Sequence, residues 1–220
     1  MSGTNMILIY LYSRYERFWH WFQAVLIILL LATGLEVYGA WKILGFKTAV
    51  DVHSFAGLTW LIGFAFFVFW LFTTGEWRQY IPTTRKMFEV IRYYSYGIFR
   101  GESHPVPKRK EAKHNPLQRL TYLSLAALLL PVQMLTGFLY WSYNSWSGWG
   151  LAFIPLEVMA VIHMAGAFSI FQFLIIHIYM TTTGHTIFAH IRAMITGWEE
   201  VVKEEKVEEW EKATVKPRPS

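Results

Sequence analysis

Four runs of the chain are nearly free of charge and long enough to cross a membrane. They cover roughly residues 17–38, 52–74, 117–141 and 155–182. About 20 predominantly apolar residues in a helix cross ~30 Å of hydrocarbon, so each run predicts one transmembrane span. Pro131 lies inside the third run and predicts a kink there. Pro155 suits the first turn of the fourth. Between the second and third runs, Met87, Val90, Ile91, Tyr94 and Ile98 recur at helical spacing, with Glu89 and Arg92 off that face. That pattern predicts a helix lying in the membrane interface. Past the fourth run, residues 199–212 mix glutamates (199, 200, 204, 205, 208, 209) with Lys203, Lys206 and Lys212, many at i,i+3 or i,i+4 spacing. This reads as a solvated helix, with docking of a partner as the sharper alternative. The predicted fold is an all-α integral membrane protein, a four-helix bundle over residues 1–198 followed by a charged tail, 199–220.

Composition agrees. The chain of 220 residues is 54% hydrophobic, 18% aromatic and only 16% charged, against about 25% charged in soluble domains. With no cysteine, these residues can hold no disulfide, no cysteine-ligated Fe–S cluster and no thioether-linked haem. The first apolar run continues to about Val37 with no small-residue cleavage site, so it reads as a retained span.

The net charge of +5 could suggest nucleic acid. The placement of the charges says otherwise, because basic residues gather beside the spans. Arg14 and Arg17 precede the first; nine, from Arg78 to Lys113, lie between the second and third; Arg192, Lys203 and others follow the fourth. The loop after the first span has only Lys42 and Lys47, and residues 142–154 have no basic residue. By the positive-inside rule both termini and the long middle loop are cytoplasmic. Tyr140, Trp141, Tyr143, Trp146 and Trp149 then form an outer aromatic belt.

With that topology the histidines sort by depth. His163 and His177 share the fourth run, fourteen positions apart. Fourteen helical steps return the side chain to within about 40° of its starting direction and advance it by roughly 21 Å. The two rings therefore point the same way at two depths. Ionisable groups inside a span are costly and signal function. His20, near the inner end of the first run, falls level with His177; His53, at the outer start of the second, falls level with His163. Each pair could clamp an iron porphyrin through two imidazoles, an arrangement suited to electron transfer. Gly34, Gly57, Gly63, Gly137 and Gly166 offer room for such a group. Zinc transport or a proton path is the competing reading. Zinc transport would usually bring carboxylates into the spans, where only Glu157 comes near.

Weaker candidates surround the inner pair. Asn115 is a natural helix N-cap, and Asn115 and Gln118 would also offer hydrogen bonds to a quinone headgroup. His114 and His185 fall near the same level. His104, His114, His185 and His190 otherwise read as solvated or interfacial. Arg17, Arg119 and Arg192 could pair haem propionates or simply anchor the inner face.

Taken together, the stretch Arg14-Tyr-Glu-Arg-Phe-Trp-His20-Trp, His53, Asn115-Pro-Leu-Gln118, the His163/His177 spacing and Thr183-Gly-His185-Thr-Ile-Phe-Ala-His190 resemble a known family. It comprises the di-haem cytochrome b subunits of formate dehydrogenases, nickel–iron hydrogenases and thiosulfate-reductase-type complexes. The resemblance covers about residues 7–198. It implies that His20 and His177 ligate an inner haem b, and His53 and His163 an outer one. It implies a menaquinone or ubiquinone site near the inner haem, with Asn115 matching a quinone-contacting asparagine. It further implies respiratory partner subunits carrying Fe–S clusters or several haems, with the substrate chemistry in those partners. Two alternatives stay open. One is a stand-alone di-haem oxidoreductase linking quinone to superoxide or a soluble donor. The other is a haem-free membrane anchor. No nucleic-acid partner is expected.

Overall fold

The computed structural model describes residues 6–106, 109, 112–184 and 186–202. In chain order the elements are β1 (Met6–Tyr10), α1 (Arg14–Tyr38), α2 (Phe46–Thr74), α3 (Met87–Arg92), α4 (Pro116–Ser124), α5 (Leu130–Trp141), α6 (Leu156–Thr181), α7 (Ala189–Thr196) and β2 (Trp198–Val202). Short 3-10 and π turns fill several of the gaps. Four helices are long and apolar enough to span a membrane: α1, α2, the continuous Pro116–Trp141 helix containing α4 and α5, and α6.

Where each helix starts is set by polar groups. α1 opens on a capping box: the Ser13 N–H donates to Glu16 Oε2 at 2.7 Å, and the Glu16 N–H to Ser13 Oγ at 3.3 Å. α1 closes on Gly39 in the left-handed region, φ 95°, with the Ala40 N–H returning to the Leu35 carbonyl. α2 starts at Phe46, earlier than the apolar run implies. The reason is Glu36, whose Oε1 accepts the N–H groups of Ile43, Leu44 and Gly45 at 2.8, 2.7 and 2.8 Å. These N–H groups belong to the turn just ahead of α2, so the carboxylate fixes where the helix begins, and it extends back over Lys47 and Asp51, which pair at 2.8 Å. His53 consequently sits two turns inside α2 and not at its start. In the third span a π turn, Leu125–Leu129, precedes Pro131. Proline cannot donate to its i−4 carbonyl and crowds it, and the wider π turn relieves both.

The chain divides into two compact units, Met1–Arg17 with Phe69–Leu125 and Ile178–Ser220, and Phe18–Val68 with Ala126–His177. The second unit packs Leu26, Ala56, Trp60, Met134 and Ile170 at its centre. Trp60 Nε1–H is satisfied by Gln23 Oε1. Phe55 and Phe66 of α2 turn outward and are exposed, the surface a lipid-facing helix presents.

The first unit contains a feature the sequence pattern did not suggest. β1 and β2 form an antiparallel ribbon, with Met6 opposite Val202 and Tyr10 opposite Trp198. Residues 199–202, expected to begin a helix, form a strand. Burial alternates along it, with Glu199 and Val201 inward and Trp198 and Glu200 outward, the two-residue period of a strand. The rest of the expected tail helix, 203–212, lies outside the described residues. The interfacial helix is present as α3 and continues through π and 3-10 turns to Arg100.

Candidate cofactor site

All four span histidines fall in the second unit, and they come together in the two expected pairs. The ring centres of His20 and His177 lie 6.0 Å apart, and those of His53 and His163 lie 6.2 Å apart. Metal–imidazole bonds of about 2.0–2.1 Å, with roughly 1.1 Å from nitrogen to ring centre, would separate two axial rings by about 6.3 Å. Both pairs match that spacing. Among the described residues no three His, Asp or Glu side chains converge on one point. A zinc site takes three or four protein ligands, whereas a porphyrin iron needs only two.

Thr33 and Thr136 hold the pair His53 and His163 from behind. Thr33 Oγ1 donates its proton to the Leu29 carbonyl at 2.7 Å and lies 3.0 Å from His53 Nδ1. Thr136 Oγ1 donates to the Val132 carbonyl at 2.8 Å and lies 3.2 Å from His163 Nδ1, which is also 3.2 Å from the Gln133 carbonyl. A hydroxyl has one proton, and each is spent on its own helix. Each Nδ1 must therefore be the donor, which leaves Nε2 with a free lone pair, the form that binds metal. The Gln133 amide nitrogen lies 3.3 Å from His163 Nε2. Iron binding there requires this amide to turn away; its Oε1 is buried with no partner among the described residues.

Glycines give the rings their room. A Cβ at Gly34 would lie 3.1 Å from His53 Cε1, and one at Gly137 2.9 Å from His163 Cε1. Beside the rings is a cavity of about 400 Å³, walled mainly by apolar side chains. Its few polar groups include His53, His163 and Gln133. An apolar cavity with convergent imidazoles fits a porphyrin. At the other pair, Phe173 stacks on His177 with ring centres 5.6 Å apart, and the buried His20 Nδ1 has no hydrogen-bond partner among the described residues.

The remaining candidates lie in the first unit. Asn115 caps α4 in a full capping box, exchanging bonds of 2.9 and 3.0 Å with Gln118. The Asn115 amide also donates to the Tyr94 hydroxyl at 3.0 Å, and His104 Nε2 lies 3.2 Å from the same hydroxyl. Burial pushes the Tyr94 phenol up to about 12, so it remains a neutral donor. His104 packs against Tyr93 and Tyr94, and His114 between Tyr80 and Tyr122. Both are half-buried, within the solvated-or-interfacial range their loop position suggested. Arg17 donates to the Ile195 carbonyl, near the end of α7. The buried Arg119 donates to the His114 carbonyl at 3.1 Å. Lys113 and Glu16 form a largely buried ion pair at 2.6 Å. His185 lies outside the described residues.

Three site residues escaped the sequence: Thr33, Thr136 and Gln133. The two threonines share a Thr-Gly dipeptide, but that dipeptide occurs five times in the chain and does not single them out.

Comparison with known proteins bears on the cofactor. The family model described as prokaryotic cytochrome b561 matches residues 11–197. A protein of Escherichia coli (strain K12) named "Putative cytochrome YdhU" is 33% identical over 199 residues, covering 86% of this chain and 74% of its own. A protein of Rhodobacter capsulatus named "Probable Ni/Fe-hydrogenase B-type cytochrome subunit" is 27% identical, covering 78% and 72%. One of Azotobacter chroococcum mcd 1 with the same name is 25% identical, covering 86% and 88%. No solved structure gives a significant match.

Proposed function

The chain belongs to the prokaryotic cytochrome b561 family, and on that premise we propose that it is the membrane subunit of a respiratory oxidoreductase, moving electrons between a partner redox subunit and the quinone pool. It is a multi-pass membrane protein, and its family and b-type cytochrome relatives support haem b as the electron carrier. The finer reading is two haems, held by His20 with His177 and by His53 with His163. The observation that carries it is the pair of ring spacings, 6.0 and 6.2 Å. Held between two imidazoles, haem b would supply reversible one-electron exchange.

The chain's own residues do the rest. The four histidines hold the groups in line across the spans. Thr33 and Thr136, by accepting from Nδ1–H, would leave Nε2 of His53 and His163 free to hold an iron once the Gln133 amide turns away from His163, and the mainly apolar cavity wall would keep water from it. Asn115 and the neutral Tyr94 hydroxyl offer donors for a quinone carbonyl at the end of α4, with His104 behind Tyr94 as a second proton-carrying group. By the charge distribution, both chain ends and this polar cluster face the cytoplasm, so quinone reduction there would draw cytoplasmic protons. The Rhodobacter and Azotobacter relatives are named as hydrogenase subunits, which supports a metalloenzyme partner for this chain also.

The test is purification in mild detergent, with haem content measured as pyridine haemochrome and every co-purifying chain identified by mass spectrometry. Two haems b per chain with a metalloenzyme subunit supports the proposal and names the substrate. Two haems without a partner favours a solitary quinone-linked enzyme. No haem overturns the ligand assignment.

A further inference from the structure

Two threonines occupy matching places in the second unit. Thr33 on α1 faces His53 on α2, and Thr136 on α5 faces His163 on α6. Each is buried, 2% and 5% exposed. Each is followed by the glycine that gives the same ring its room. Neither hydroxyl is available as a donor to histidine, because its proton goes to the carbonyl one turn back. The contact is therefore an Nδ1–H donated to oxygen, and that bond does two things. It fixes the tautomer and direction of the ring, and it makes Nε2 a stronger donor to metal. Stronger ligand donation favours the oxidised over the reduced iron, so it lowers the reduction potential. The first pair lacks this device in part, since His20 Nδ1 is buried without a hydrogen-bond partner among the described residues.

We propose that Thr33 and Thr136 are positioning residues for His53 and His163, and that they make the iron held by this pair the lower-potential one of the two. The inference rests on the two-haem reading above. It assigns the difference between the two midpoint potentials to these hydroxyls, with the Gln133 carbonyl as a second acceptor for His163 Nδ1, and not to the haems, which are chemically identical. Carriers ordered in this way favour electron movement from the His53/His163 level toward the His20/His177 level.

The test is a potentiometric titration of the purified full-length protein, followed at the reduced α-band, for the parent, Thr33→Val, Thr136→Val, and the serine replacement at each position. Valine keeps the shape and removes the oxygen; serine keeps the oxygen. Each valine variant should raise the lower-potential wave, with about a tenfold change in the oxidised-to-reduced ratio, or about 59 mV for a one-electron couple. The higher wave should stay in place, and serine should restore the parent value. Haem content, measured on the same samples, separates this inference from the functional reading. A parent protein without two haems overturns that reading and this inference with it. Two haems in the parent, with valine variants that move neither wave or move the higher one, overturn this inference alone. If a valine variant loses haem, the serine variant decides: full loading at the parent potential supports the hydroxyl's role, and equal loss refutes it.

Discussion

Gly137→Ala tests the geometry of the His53/His163 pair directly. The added Cβ would lie 2.9 Å from His163 Cε1, while carbon atoms attract best at about 3.5–4.0 Å. The overlap is thus about 0.6 Å or more, and the ring cannot swing freely, because Thr136 and the Gln133 carbonyl hold its Nδ1. Overpacking of this kind costs about 1–3 kcal/mol. At about 1.4 kcal/mol per tenfold, that is roughly 5- to 140-fold in retention of the bound group. Gly34→Ala is milder, its Cβ 3.1 Å from His53 Cε1. Gly57→Ala is the control, for its nearest atom is Leu30 Cδ2 at 3.9 Å. All three glycines are helical, so each substitution also gains up to ~1 kcal/mol of helix propensity. The expected order is therefore a stable Gly57→Ala with both haems, a slightly depleted Gly34→Ala, and a Gly137→Ala that loses close to one haem of the two. Haem per chain and the thermal midpoint, measured together, check this. A Gly137→Ala protein with full haem content and a midpoint at or above the parent would refute the reasoning.

Two further perturbations bear on the first unit. Lys113→Met strands the largely buried Glu16 carboxylate and should cost about 3–5 kcal/mol, while adding Glu16→Gln should recover most of it; unfolding in detergent that shows no recovery refutes the pairing. Burial raises the phenols of Tyr12, Tyr80 and Tyr94, the last to about 12, against an unfolded value near 10. Their contribution is fully present below about pH 10 and is lost as pH rises from there toward 12 and beyond, because the unfolded state releases its protons first. The difference in tyrosinate absorbance near 295 nm between the parent and Tyr94→Phe should then appear only together with unfolding; a difference that appears near pH 10 while the protein is still folded would contradict it.

What could be read from the chain follows from how far each signal reaches. Span length and the fourteen-residue spacing of His163 and His177 are properties of single helices, so the sequence shows them directly. The pairing of His20 with His177 followed from charge placement and depth, and the ring distances agree. Thr33 and Thr136 were not legible, because their role depends on how two helices register against each other. Alone, each is an ordinary helical threonine bonded to its own backbone. The early start of α2 depends on Glu36, ten residues upstream of Phe46 and in another helix. The ring contacts of His104 with Tyr94 and of His114 with Tyr80 were not legible either, because they depend on how the middle loop folds back on itself. The ribbon was hidden for the same reason. Its strands are five residues each, separated by almost the whole sequence.

That ribbon constrains how the protein is made. β1 comes before the first span and β2 after the last, and strands can pair only in the same compartment. The two ends of the described chain therefore meet on one face, which requires an even number of crossings. A chain that failed to insert one helix would leave its ends on opposite sides of the bilayer, with both strand edges unpaired. Since β2 follows every described span in the chain, the ribbon can close only after all four have been made. The ribbon is thus a parity check on threading: it can close in a chain with an even number of crossings and in no chain with an odd number.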